Sequence, residues 1–155
     1  MESVNTVPPQ NSKQEHVKQL LVAIQEDRKR YIALEKLLVK QRELMIKHDS
    51  EALQTLNPQL MELYNLIDKT ASERRMLMQE LQLPAHKEGM HLLLSQLPAH
   101  YREHAGALWA DLRLRADACR QQNHHNGMLL TMQMDLLSSL TKTQSDFLYV
   151  GLTAI

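Results

Sequence analysis

Aromatic side chains make up only 4% of this chain, with one Trp and one Phe, and there are just 4 Gly and 5 Pro in 155 residues. A composition so poor in aromatics and turn formers fits β-sheets badly and helices well. The single cysteine, Cys119, excludes an intramolecular disulfide framework and a thiolate zinc site. Charge of either sign is not in surplus: Lys and Arg number 18, Asp and Glu 18. A nucleic-acid binder needs excess Lys and Arg to displace counterions, so that class is disfavoured, and an anionic membrane surface gains no support either. No apolar run approaches the length of a membrane span. The polar start, with Glu2, does not read as a secretory signal peptide. Together these absences point to one domain in a reducing compartment, most simply the cytoplasm.

What is present is heptad periodicity. Residues 1–11 are polar with Pro8-Pro9 and read as a disordered leader. Ser12 is placed to cap a first helix, with Glu15 completing a capping box. Val17, Ile24, Tyr31, Leu38 and Met45 then recur at every seventh position; Leu20 and Leu34 fill the companion track, and Asp27 and Gln41 interrupt it. The pattern predicts a helix to about His48. Asp49-Ser50 ends it and caps a short turn, Glu51 to Leu56. Asn57-Pro58 reads as a fresh start, with Pro at the first helical position. Leu60, Leu63, Ile67, Leu77 and Leu81 give the second long helix an inner face, interrupted by Thr70 and Arg74 and ended by Pro84. A short helix over 85–97 follows, weakened by Gly89, and Pro98 opens a third long helix expected to reach about Thr143. Gln82-Leu83-Pro84-Ala85-His86 returns as Gln96-Leu97-Pro98-Ala99-His100, the same helix punctuation used twice.

The fold class is therefore all-α: long antiparallel helices in a coiled-coil-like bundle over 12–145, with one short intervening helix and a tail over 146–155. Within the third helix, Asn123-His124-His125-Asn126-Gly127 carries an Asn-Gly turn signal. Yet the apolar phase does not reset there. Trp109, Ala116, Asn123, Leu130 and Leu137 form one track, and Leu112, Cys119, Asn126, Gln133 and Leu140 the other. A continuous helix with two seam asparagines follows, and asparagine on a seam costs stability while fixing register and partner. Both amides are expected to be paired in the interior, and Gly127 to be justified by a close approach.

Chemistry-bearing groups are sparse. His100 and His104 share a helix face, and Glu88-Gly89-Met90-His91 supplies one Glu-x-x-His unit, where a di-iron bundle needs two plus glutamates on two further helices. Solvated or capping histidines explain the pattern better than a metal-dependent bundle enzyme. Cys119 lies on the seam as a buried thiol with no visible orienting group or oxyanion loop, so neither catalysis nor a cofactor is expected. Arg28-Lys29-Arg30, balanced by Glu26 and Asp27, reads as a solvated face. The C-terminal segment stands apart. After Gly127 the only charges are Asp135, Lys142 and Asp146, while Met128, Leu129, Met132, Met134 and Leu136 join the seam leucines. Met128 and Met132, four apart, make an outer patch suited to docking. The competing use of this stripe is self-association, as a structural coiled-coil adaptor or homodimer.

Asn123-x-x-Asn126-Gly127 followed by Met128-Leu129-Leu130, late in a small helical chain, resembles the FlgN family of flagellar type III export chaperones. The likeness runs back to Lys47-His48-Asp49-Ser50-Glu51-Ala52-Leu53 and forward to Leu148-Tyr149. It implies a protein that binds hook–filament junction (hook-associated) proteins before export and delivers them to the flagellar export gate. It also implies a partner-binding region at the C-terminal end, here Asn123, Asn126, Gly127, Met128, Leu129, Met132, Leu136, Phe147, Leu148 and Tyr149. A terminal helical segment of the partner would lie on Met128, Met132 and their neighbours. Leu148-Tyr149, expected beyond the regular helix, would be a docking element for the gate.

Overall fold

A computed structural model describes residues 10–84 and 86–153, with side chains over 12–84 and 86–143. Among these residues the elements are α1 (Gln10–Ile46), α2 (Ser50–Glu80), α3 (Lys87–Gln96) and α4 (Ala99–Thr153), with no strand. The expected all-α bundle of long helices is what forms. Helix α1 starts at Gln10, directly after Pro8-Pro9, so Ser12 lies inside the helix and does not cap it. The remainder of the expected leader, residues 1–9, lies outside the described residues.

Helix α1 is the middle of the bundle. Helix α2 runs antiparallel to it, as the pairings Arg74–Asp27 and Asn57–Gln41 require. Helix α4 reverses again and so runs parallel to α1. Three hydrogen bonds between them, Cys119 to Tyr31, Asn126 to Leu38 and Gln133 to Met45, all span 88 residues. That constant offset at heptad steps is the signature of a parallel coiled-coil register. One core cluster joins Leu20 and Ile24 of α1, Met78 of α2, Met90 and Leu93 of α3 and Leu112 of α4. The next joins Leu34 and Leu38, Leu60 and Ile67, and Cys119.

The helix ends follow local chemistry. Asp49 caps α2 as expected, accepting from the Ala52 N–H at 3.1 Å. Helix α1 closes with Asp49 N–H on the Leu44 carbonyl and His48 N–H on Met45, His48 taking φ 55°. Helix α2 closes the same way, through Leu83 to Met78 and Gln82 to Gln79, with Gln82 at φ 58°. These are Schellman ends built without glycine. Gly89 sits instead where α3 abuts the end of α2. A Cβ there would land on the Pro84 carbonyl oxygen and lie 2.7 Å from Met78 Cε, so only glycine lets α3 pack so closely.

The expected restart at Asn57-Pro58 does not occur, because α2 runs through it with Pro58 inside. Leu56 and Leu60 are both buried and hold the two flanks in line. Gln54, Asn57 and Pro58 are exposed, so the backbone bond that proline deletes faces water, where a carbonyl finds another partner.

Candidate partner-binding surface

The polar interruptions of the seams prove to face one another. Asp27, only 1% exposed, accepts from Arg74 Nη1 at 2.6 Å and Arg30 Nη1 at 3.2 Å. Arg30 also donates to Thr70 Oγ1 at 2.6 Å, and the Arg74 guanidinium lies 5.7 Å from the Trp109 ring centre. Three positions that read as defects in two amphipathic patterns thus form one buried polar layer linking α1, α2 and α4. The basic run is correspondingly not a solvated face. Lys29 pairs locally with Glu26, but Arg28 reaches Asp111 of α4 and Arg30 turns inward. Arg28, then Arg115, holds the Asp111 carboxyl below its usual range. This layer is not among the expectations from the sequence; the signal that could have found it is the coincidence of an acidic gap on one seam with a basic gap on the next.

A second layer surrounds Asn126. Its Nδ2 donates to the Leu38 carbonyl at 2.8 Å and to Gln41 Oε1 at 3.0 Å, and its Oδ1 accepts from Gln122 at 3.0 Å. Gln41 in turn donates to Asn57 Oδ1 at 3.1 Å. Asn126 is therefore the buried, paired seam amide expected of it. Asn123 is not: it is exposed. The buried track is Leu112, Cys119 and Asn126, because α1 approaches that edge of α4; the Trp109 track rotates out to solvent past Ala116. Gly127 lies inside a continuous helix as the heptad phase predicts. The expected close approach is missing, since a Cβ there meets no atom within 4 Å.

Cys119 is buried, and its Sγ donates to the Tyr31 carbonyl at 3.4 Å. Burial, then Glu35, pushes its thiol up to about 11, the opposite of an activated nucleophile. His91, His100, His104, His124 and His125 are all exposed. Among the described residues no three His, Cys, Asp or Glu side chains gather around a common point, and no helix is long and apolar enough to cross a membrane.

Among the described residues, the last hydrogen bond from α4 to α1 is that of Gln133, whose Nε2 donates to the Met45 carbonyl at 3.0 Å. Helix α1 stops at Ile46, but α4 continues to Thr153, an overhang of about 30 Å at 1.5 Å per residue. Every side chain from Met134 to Thr143 is exposed. Leu137 and Leu140, expected to face the other helices, are each 64% exposed because α1 ends before reaching them, whereas Leu130, also expected to face them, is 50% exposed beside α1, on the track that turns to solvent. Met128, Met132 and Leu136 are exposed as well, and Leu129 is half-buried. Phe147, Leu148 and Tyr149 continue α4, which lacks any Pro or Gly between Met128 and Val150 to stop it, so the expectation that they lie beyond the helix fails. Their side chains lie outside the described residues.

A protein-family model described as FlgN protein matches residues 16–143. No curated protein matches the chain, and no solved structure does.

Proposed function

The chain belongs to the FlgN family of flagellar export chaperones, and from this premise we propose that it binds hook-associated junction proteins through the C-terminal part of α4 and delivers them to the type III export gate. The observation that carries the reading is the overhang beyond Gln133, a stretch of exposed leucine and methionine with few charges and no helix over it among the described residues. Soluble proteins rarely leave so continuous an apolar surface without a partner. Met128, Leu129, Met132 and Leu136 belong to this contact region, with Asn123, Asn126 and Gly127 at its bundle-side border. The partner contributes a terminal segment that folds as an amphipathic helix on binding. Ordering that segment costs part of the interaction energy and keeps the complex releasable, as a carrier requires.

Leu148-Tyr149 is the proposed contact for the export gate, next to Phe147. Tyrosine offers apolar area with a polar tip and few torsions to freeze. The cytoplasm is the compartment in which a carrier must meet cargo before export. Capture of purified hook-associated proteins by the full chain and by a version ending at Gln133 tests the reading. The shortened chain should keep its melting temperature and lose capture; equal capture by both would refute it. A second reading, self-association of the overhang, has its own readout. Sedimentation should then give a dimer in the full chain and a monomer in the shortened one.

A further inference from the structure

The overhang is not uniformly apolar, and its pattern says how a partner helix lies on it. Asn126, Leu130, Gln133, Leu137 and Leu140 follow one another at alternating steps of four and three residues, which keeps them on one line along the helix. Thr131, Asp135, Ser138 and Lys142 follow the same steps on the opposite side and hold both charges found between Gly127 and Thr143. Met128 and Met132 sit at the border of the two stripes. The apolar line is thus the same seam that α1 occupies further back, where Leu38 lies on Asn126 and Met45 on Gln133. Beyond Gln133 the seam continues with Leu137 and Leu140, each 64% exposed, while α1 turns away through its Schellman end.

We infer that the cargo helix occupies the continuation of the α1 seam, lying in line with α1 on Leu137 and Leu140, so that α4 is one rail shared end to end by an internal helix and an external one. The inference rests on the proposed function above and specifies the face and pose of its partner. Continuity with the α1–α4 interface carries it: the groove geometry that fits α1 at heptad steps is still present where α1 ends. The occupant is an amphipathic helix of up to about twenty residues, at 1.5 Å per residue, whose inward positions are aliphatic and uncharged. Gln133, which caps the Met45 carbonyl, marks the boundary between the two helices.

The test uses the full chain and a purified hook-associated junction protein. Leu137→Glu with Leu140→Glu places two carboxylates on the seam, and binding should weaken about tenfold or more, with melting unchanged because both positions are exposed. Thr131→Glu with Ser138→Glu, on the polar stripe, should bind as the parent does. Met128→Glu with Met132→Glu should lose less than the seam pair. A photo-crosslinker at Ile46, the last residue of α1, should join the bound partner. If the methionine pair loses more than the seam pair, or the Ile46 crosslink fails while binding persists, the pose is wrong although the chaperone reading stands. If a chain ending at Gln133 binds normally, the underlying reading is wrong. A dimer whose seam-pair variant is monomeric would assign the groove to a second copy and overturn the inference.

Discussion

Replacing Asp27 with alanine tests whether the buried polar layer organises the bundle. The carboxylate is 1% exposed and is the shared acceptor of Arg30 and Arg74, whose side chains are 28% and 21% exposed. Removing one partner of a buried ion pair costs about 3–5 kcal/mol, since the remaining charge is left uncompensated in a poorly solvated place. Both arginines keep some access to water, and Arg30 keeps Thr70, so the expected loss is at the lower end, about 3 kcal/mol. For a domain of this size that is a fall in melting temperature of about 6–12 °C, at roughly 2–4 °C per kcal/mol. Thermal and urea unfolding followed by circular dichroism would measure it. The double change Asp27→Leu with Arg74→Met should recover most of the loss, because an apolar pair of similar volume often replaces a buried ion pair without cost. A single-variant loss below about 1 kcal/mol, the size of an exposed ion pair, would show that the layer is solvated and that the reasoning about it is mistaken.

Asn126→Ala should cost about 2–3 kcal/mol, from hydrogen bonds worth about 1 kcal/mol each, whereas Asn123→Ala should stay within about 0.5 kcal/mol as exposed positions do; urea midpoints of the two variants check the contrast. Gly127→Ala should stabilise the free chain by about 1 kcal/mol, while Gly89→Ala should destabilise it by about 1–3 kcal/mol because the Pro84 backbone cannot yield to a methyl group; thermal melts give both signs. Cys119 should resist thiol reagents at neutral pH in the folded chain and react on unfolding, as timed labelling would show. Its thiol is raised from an ordinary 9.0 to about 11, so the folded state favours the protonated form. Stability should be intact below about pH 9 and decline toward pH 11 as the unfolded chain ionises first, and Cys119→Ala should lessen that decline, the rest coming from Tyr31 and Tyr64, whose hydroxyls burial also pushes up.

The sequence by itself determined the class of fold and the path of its longest helix. Heptad phase is carried by many residues at once, so it outvoted the local turn signal at Asn126-Gly127, and α4 is continuous there. It also marked the C-terminal part of α4 as poor in charge, and the Asn-rich block pointed to the family that matches residues 16–143. At Pro58 the outcome was decided in three dimensions: burial of Leu56 and Leu60 against α1 holds a helix that local signals would break. The same holds for Asn123 and Asn126, which occupy equivalent seam positions in sequence; only the side from which α1 approaches buries one and exposes the other. Asp27, Thr70 and Arg74 each look like a flaw in a single amphipathic stripe and become a shared layer once α1 and α2 are set antiparallel. The extent of the free surface was likewise a tertiary matter. A periodic stripe shows which residues want cover, but whether cover arrives depends on where the neighbouring helix ends, and α1 ends at Ile46 while α4 runs on.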